Sequence, residues 1–330
     1  MHNAGTLDIE GGVFVASEGG EYVYSDNGTE NYRSGVKLIE MECAIARYAA
    51  ADGDVVIEQL DGEKLIGVNA YRDGELLYEY GDYGKSGCYL DKFTVKGDDT
   101  SSVDKNDFAS MKSSATVYAS YAASPVYFFL GSSVTYGHAN NGSSFVNEIS
   151  SMLNAICVKE AVSGTTLADN GANSYVSRML SNFDKNAKAE KLIVQLSTND
   201  ATQNANRGTI SSSMNIEDFD RKTTLGAIEY IIAYARQTWN CGVTFYTNPK
   251  YDNAGYASLV TDLYAIREKW GIGIVDFYNY VDMEELPAQT LSSFMADAIH
   301  PNALGYKWMG EVFAEYLRKD FAANHAGKII

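Results

Sequence analysis

Basic residues are in short supply. Against 43 Asp and Glu the chain carries 26 Lys and Arg, a formal net charge of −17 over 330 residues. So acidic a chain disfavours nucleic acid and anionic membrane as partners, because both require positive patches. It favours solubility and neutral or cationic substrates. No apolar run approaches the length of a membrane span. The opening Met1-His2-Asn3-Ala4-Gly5-Thr6 lacks the apolar core of a signal peptide, so a cytoplasmic location is expected unless a leader has been removed. Cysteine is scarce too. Cys43, Cys88, Cys157 and Cys241 are scattered, with no Cys-x-x-Cys and no nearby histidine, which argues against a zinc site. A Cys43–Cys88 bridge stays open, with reduced thiols the expectation in a cytoplasmic chain. Cys43 and Cys157 sit in apolar runs and read as small buried hydrophobes. Internal repeats and low-complexity tracts are absent.

What is present has an ordinary globular composition, 45% hydrophobic and 21% charged, and the length points to two domains. Residues 1 to about 97 read as β structure. Ile39, Met41, Cys43 and Ile45 alternate with Glu40, Glu42 and Ala44, the period of a half-buried strand. Val55 to Leu60 and Lys64 to Val68 flank Asp61-Gly62, and Val68 to Tyr71 and Glu75 to Tyr80 flank Asp73-Gly74. Asp-Gly between apolar runs signals a hairpin, since both turn positions take positive φ; two in succession predict an antiparallel meander. Leu90 to Val95 and Ala115 to Tyr121 add strands, and the polar stretch from Gly97 to Asn106 reads as a loop. Together these predict a small all-β, jelly-roll-like sandwich. Domains are expected over residues 1–122 and 123–330, with the boundary near Ala122 to Pro125.

The second part is organised around Val126-Tyr-Phe-Phe-Leu-Gly-Ser-Ser-Val-Thr-Tyr-Gly137. An apolar run, suited to the middle of a parallel sheet, stops at a glycine and two serines. Further strands are expected at Ile156–Ala161, Lys191–Leu196, Val243–Tyr246 and Ile272–Phe277. Helices are expected at Ser143–Leu153, Ser174–Leu180, Asp218–Thr238, Tyr256–Trp270 and Asn302–Phe321. Alternating strands and helices imply right-handed crossovers and a parallel sheet covered on both faces. Chemistry in such sheets collects at the carboxyl ends of the strands, where Ser132 and Ser133 stand.

A serine at a turn is often a simple cap. To be a nucleophile it needs a base, usually histidine, oriented by a third group. Histidine is rare: His2, His138, His300 and His325 are the four, and the first and last lie near the ends. His138 has no carboxylate close in sequence. His300 follows Asp297 by three residues, so on a turn the carboxylate can hold one ring nitrogen and leave the other free to take a proton. The residues alone leave Ser132 and Ser133 as rivals for the hydroxyl. The residue two after Ser133 is Thr135, so the Gly-x-Ser-x-Gly elbow of the common α/β-hydrolases is missing.

Gly131-Ser132-Ser133, Val162-Ser163-Gly164, Ser197-Thr198-Asn199-Asp200 and Asp297 to His300 resemble, in order, the four blocks of the SGNH (GDSL-type) serine hydrolases. The resemblance spans roughly Val126 to Phe321. It implies an α/β, flavodoxin-like three-layer sandwich with a parallel sheet. It selects Ser133 as nucleophile, with His300 as base and Asp297 as its orienting carboxylate. It also implies an oxyanion hole from the Ser133 N–H, the Gly164 N–H and the Asn199 side-chain amide. Asp200 is assigned to bracing its loop. Two positions depart from the family pattern: Ser132 replaces the usual aspartate and Ser197 the usual glycine. Neither carries the proton transfer, so activity is expected to survive.

The expected function is hydrolysis of short-chain, chiefly acetyl, esters on carbohydrate through an acyl-enzyme, with no metal or organic cofactor. The appended sandwich and the lack of an apolar lid motivate that choice. A lipase, lysophospholipase or thioesterase on the same triad is the alternative, and so is a non-catalytic carbohydrate-binding protein. Tyr136, His138, Asn204 and Arg207, with Tyr251, lie on loops that line the pocket in this reading. The 24 tyrosines fit aromatic platforms for sugar rings. The oligomeric state is left open.

Overall fold

The computed structural model describes residues 54–62, 64–81, 83–103, 105–111, 114–280, 288–326, 328 and 330, with short strand segments between residues 2 and 48. The chain divides into two compact units, Met1–Ala123 and Ser124–Ile330. Cys43, and with it the Cys43–Cys88 bridge, lies outside the described residues. Cys157 is half-buried and Cys241 buried, both as free thiols.

The first unit contains a six-stranded mixed sheet. β1 (Asp54–Asp61), β2 (Lys64–Arg72) and β3 (Glu75–Gly81) form the antiparallel meander that the Asp-Gly turns predict. At the second turn Asp73 and Gly74 take φ of 51° and 83°, as a tight hairpin requires. β4 (Cys88–Val95), β5 (Asp98–Val103) and β6 (Ala115–Ala123) complete the order β3-β2-β1-β6-β4-β5. β6 runs parallel to β1, which makes the sheet mixed. Val55, Ile57, Tyr71, Phe93, Phe108 and Val117 share a core.

Two expectations fail here. The stretch from Gly97 to Asn106 is no loop: Asp98–Val103 pairs with β4, and a 3₁₀ turn follows over Lys105–Ser110. β5 is an edge strand whose described side chains at Asp98, Ser101 and Ser102 face solvent, so it carries no apolar alternation. The Ile39–Ile45 alternation is divided between Val36–Glu42 and Ile45–Tyr48, which pair antiparallel. No Gly, Pro, Asn or Asp marks the reversal in the sequence.

The second unit is built on β7 (Val126–Gly131), β8 (Ile156–Ala161), β9 (Ala189–Gln195), β10 (Gly242–Tyr246) and β11 (Gly273–Val275). All neighbours are parallel and the spatial order is β8-β7-β9-β10-β11, a flavodoxin-like winding. Strand order reverses between β7 and β9, so a crevice opens beyond their carboxyl ends. The helices are α1 (Ser133–Tyr136), α2 (Phe145–Met152), α3 (Tyr175–Asn182), α4 (Thr198–Thr202), α5 (Thr224–Trp239), α6 (Ala254–Trp270), α7 (Ala288–Ser293) and α8 (Ala303–Asn324).

β7 is apolar on both faces because both are covered. Phe128 and Leu130 join Leu192, Val194, Val243 and Phe245 in one core with residues of α3, α5 and α6. On the other face Phe129 meets Phe145 of α2 and Phe313 of α8, with ring centroids 6.1 and 6.5 Å away. α5 starts six residues later than its apolar pattern predicts. Thr223 is extended and its side chain accepts the Gly226 N–H, which fixes the helix start there; Ile216–Asp218 form a separate 3₁₀ turn.

Candidate active site

β7 ends at Gly131 and the chain turns directly into α1. A Cβ on Gly131 would lie 1.7 Å from Thr135 Oγ1 and 2.9 Å from Gln195 Oε1, so the turn closes only around glycine. Gln195 sits fully buried beneath it. Its Oε1 accepts from the Ser132 N–H (2.9 Å), the Ser132 hydroxyl (3.3 Å) and the Thr135 hydroxyl (2.9 Å). Tyr246 OH lies 2.6 Å from Thr135 Oγ1. Burial pushes the Tyr246 phenol well above its ordinary pKa, so it stays protonated and donates to Thr135. Ser132 thus aims its hydroxyl into the core. Ser133, first residue of α1 and 6% exposed, places its Oγ 2.8 Å from His300 Nε2.

His300 comes from the loop before α8, and that loop is shaped by Asp297. The Asp297 Oδ1 accepts the backbone N–H groups of Ile299 (2.8 Å) and His300 (2.7 Å). Its Oδ2 lies 2.8 Å from His300 Nδ1, with Oδ1 at 3.1 Å. A proton on Nδ1 donates to the carboxylate, which leaves Nε2 as the acceptor for the Ser133 hydroxyl. Burial pushes the Asp297 carboxyl up, but the His300 imidazole and the two backbone N–H groups outweigh it and hold the group below the ordinary carboxylate range. Asn302 then caps α8 by accepting the Gly305 N–H at 3.0 Å.

Two further loops follow the carboxyl ends of β8 and β9. Gly164, exposed with φ of 80°, accepts the Gln203 side-chain amide on its carbonyl at 2.9 Å. Asn199 Nδ2 donates one hydrogen to Thr165 O (2.9 Å), and the amide retains a second. Ser197 caps α4, accepting the N–H groups of Asn199 (3.1 Å) and Asp200 (3.3 Å). A glycine there lacks that cap. Asp200, 2% exposed, accepts from Leu167 N–H (2.7 Å), Ala168 N–H (3.0 Å) and the Thr224 hydroxyl (2.8 Å). Burial raises its pKa despite those bonds. It braces three segments and points away from solvent.

Arg178, 3% exposed on α3, had no motif to reveal it. Its Nη2 donates to Gly131 O (2.8 Å) and Thr165 Oγ1 (3.1 Å), its Nη1 to Glu160 O (3.1 Å) and Oε1 (3.2 Å), and its Nε to Asn173 O (3.0 Å). One guanidinium therefore ties the end of β7 to the end of β8 and to the loop of Gly164. Lys159 is a second such tether, donating to Tyr136 O (3.3 Å), Gly142 O (2.8 Å) and Asn147 Oδ1 (3.0 Å).

The loop residues divide. The His138 ring stands 5.0 Å from that of His300, and both His138 and Tyr136 are exposed. Asn204 is exposed at a φ of 53°. Arg207 commits its guanidinium to both oxygens of Asp262 on α6, at 2.6 and 2.5 Å. Tyr251 stacks obliquely on Tyr256 at 5.0 Å and lines a cavity of about 460 Å³ between residues 250–252 and 291–298, with Asp297 in its wall.

Residues 129–308, more than half of the chain, match the GDSL-like lipase/acylhydrolase family. The chain belongs to that family. It is an ester hydrolase with the SGNH α/β fold, and a mixed β sheet precedes the hydrolase region. No curated protein matches the sequence. Several solved structures resemble this GDSL-family hydrolase. A protein from Lactobacillus plantarum is 16% identical, covering 61% of this chain and 98% of its own, with a TM-score of 0.47. A GDSL-like lipase candidate from Bacteroides ovatus is 16% identical over 60% of this chain and 100% of its own, with a TM-score of 0.43. A family two carbohydrate esterase from Clostridium thermocellum, solved in complex with cellohexaose, is 17% identical over 62% of this chain and 68% of its own, with a TM-score of 0.43. Among the described residues of the hydrolase, no helix is long and apolar enough to cross a membrane.

Proposed function

We propose that this GDSL-family hydrolase is a serine esterase acting through Ser133, His300 and Asp297, and that it removes short acyl groups, chiefly acetyl, from carbohydrate esters. One observation supports the triad above all: Ser133 Oγ and Asp297 Oδ2 lie 2.8 Å from the two nitrogens of one imidazole, across 167 and 3 residues of sequence. His300 Nε2 takes the hydroxyl proton as Ser133 Oγ attacks the ester carbonyl. The tetrahedral oxyanion is met by the Ser133 N–H, left without an intrahelical partner at the start of α1. The Gly164 N–H and the second Asn199 amide hydrogen complete the hole. Collapse breaks the C–O bond, and His300 returns its proton to the leaving alcohol. Water, deprotonated by the same imidazole, then cleaves the acyl-enzyme to release the acid and restore Ser133. Tyr136 and His138 stand exposed at the mouth, placed to touch the alcohol.

The preference for short acyl groups rests on the exposed setting of Tyr136, His138 and Gly164, with no long apolar lid in the sequence. The cavity beside Asp297 favours a second reading. Leu291, Met295, Ala296 and Ala298 contribute apolar wall, and about 460 Å³ exceeds what an acetyl group fills. On that reading longer acyl chains are the substrates of the same triad. Rates on acetylated sugars and on long-chain lipid esters, taken side by side, decide between them; a clear lipid preference sinks the acetylesterase reading. Fluorophosphonate labelling that is present in the folded wild type and gone in Ser133→Ala supports the nucleophile. A folded wild type that takes no label overturns it.

A further inference from the structure

The imidazole of His300 is held by more than its carboxylate. Asn248, fully buried just beyond β10, donates from Nδ2 to the carbonyl of Ile299 at 3.0 Å. That carbonyl belongs to the peptide group whose N–H, on His300, donates to Asp297 Oδ1 at 2.7 Å. The Ile299–His300 peptide is therefore gripped at its oxygen and at its nitrogen, from two different elements. Asn248 is itself fixed. Its backbone N–H donates to Tyr256 OH (2.7 Å), and that hydroxyl donates to Leu196 O (3.2 Å). Leu196 immediately precedes Ser197, whose hydroxyl caps the helix carrying Asn199.

We propose that Asn248 and Tyr256 are positioning residues that hold the His300 loop in register with the Asn199 loop. The inference rests on the triad reading above. Asn248 sits where β10 leaves the sheet, so it is anchored to the scaffold and not to a mobile tip. Tyr256 reaches from α6 with its ring in the core, fully buried, and its one oxygen joins Asn248, which holds the His300 loop, to Leu196, which leads into the Asn199 loop. Neither touches the reacting atoms. Their effect is on where Nε2 stands relative to Ser133 Oγ, and a displacement of about 1 Å is enough to cost about 100-fold in rate.

The test uses the full chain in three variants: Asn248→Ala, Tyr256→Phe and the pair. Steady-state kinetics on 4-nitrophenyl acetate separate kcat from KM, and the rate of fluorophosphonate labelling reports activation of the nucleophile. Asn248→Ala is expected to lower kcat by about 10- to 100-fold with KM within about twofold, and to slow labelling in parallel. Tyr256→Phe, which removes one oxygen and keeps the ring, is expected to move kcat the same way by a smaller factor. The pair should be no worse than Asn248→Ala alone, because both act through one contact chain. A folded Asn248→Ala with kcat and labelling within about twofold of wild type overturns the proposal. If that variant does not fold, Tyr256→Phe decides by the same criterion. Ser133→Ala separates the two levels: full activity there sinks the triad, whereas an inactive Ser133→Ala beside an unimpaired Asn248→Ala sinks only this inference.

Discussion

Replacing Asp297 by asparagine removes a charge and almost no volume, so it isolates the electrostatic half of the pair. The amide oxygen can keep the N–H bonds of Ile299 and His300, now 2.8 and 2.7 Å, and the loop should hold its shape. The amide nitrogen then occupies the place of Oδ2, 2.8 Å from His300 Nδ1. It donates, so Nδ1 must accept, and the ring proton moves to Nε2, where it confronts the Ser133 hydroxyl. The base is left in the wrong tautomer. In a fully buried triad that error costs about 10⁴-fold in kcat. The Asp297 side chain is 56% exposed, so water screens its interaction with the ring and offers the variant an alternative partner. The expected loss is therefore about 10²- to 10³-fold, or about 3–4 kcal/mol of barrier. Initial rates on 4-nitrophenyl acetate, with a thermal melt to verify folding, give the answer. A folded variant within about fivefold of wild type would refute Asp297 as the orienting group.

The two serines should separate cleanly. Ser133→Ala is expected to abolish turnover and labelling, while Ser132→Ala keeps both and loses about 1 kcal/mol of stability, because Gln195 Oε1 retains the Ser132 N–H as a donor. Loss of labelling in a folded Ser132→Ala would reverse the assignment. Gly131→Ala drives a methyl to 1.7 Å from Thr135 Oγ1 and should destabilise by about 1–3 kcal/mol, read as a drop in melting temperature of several degrees; an unchanged melt would mean the turn relaxes freely. Asp297 adds a stability effect of definite sign. Its carboxyl is held below the unfolded value of about 3.9, so its contribution is present above that pH and is lost as pH falls through the folded value. The gap in melting temperature between wild type and Asp297→Asn should narrow on acidification, and a widening gap would contradict the depressed carboxyl.

Parts of this were legible because they are local. The strand Val126–Gly131 declares itself by an apolar run that both faces of the sheet demand, and the meander by two Asp-Gly pairs, of which Asp73-Gly74 takes positive φ at both positions. The pairing of His300 with Asp297 was readable from scarcity, since few histidines are available and one has a carboxylate three residues away, whereas Ser133 was separated from Ser132 only by the family resemblance. Contacts that join distant segments through buried polar atoms leave no such trace. Arg178 reads in sequence as one more helix cation, Lys159 as a strand charge and Asn248 as a loop amide. Their partners are mostly backbone carbonyls, which carry no residue identity. The strand Asp98–Val103 was missed for the opposite reason: an exposed edge needs hydrogen bonds and no apolar period. Arg207, by contrast, looked available for substrate, and it is the acid on α6 that engages it.

The guanidinium of Arg178 has five N–H groups, and each has a partner in the bonds to Gly131, Thr165, Glu160 and Asn173. Lysine has three donors on a single tetrahedral nitrogen and cannot cover acceptors spread across a plane. Even the mildest exchange of one cation for the other would strand buried oxygens at the ends of two neighbouring strands. That position therefore tolerates no other cation, while Val162 and Ser163 stand exposed on the same loop, where other side chains fit without disturbing the frame beneath.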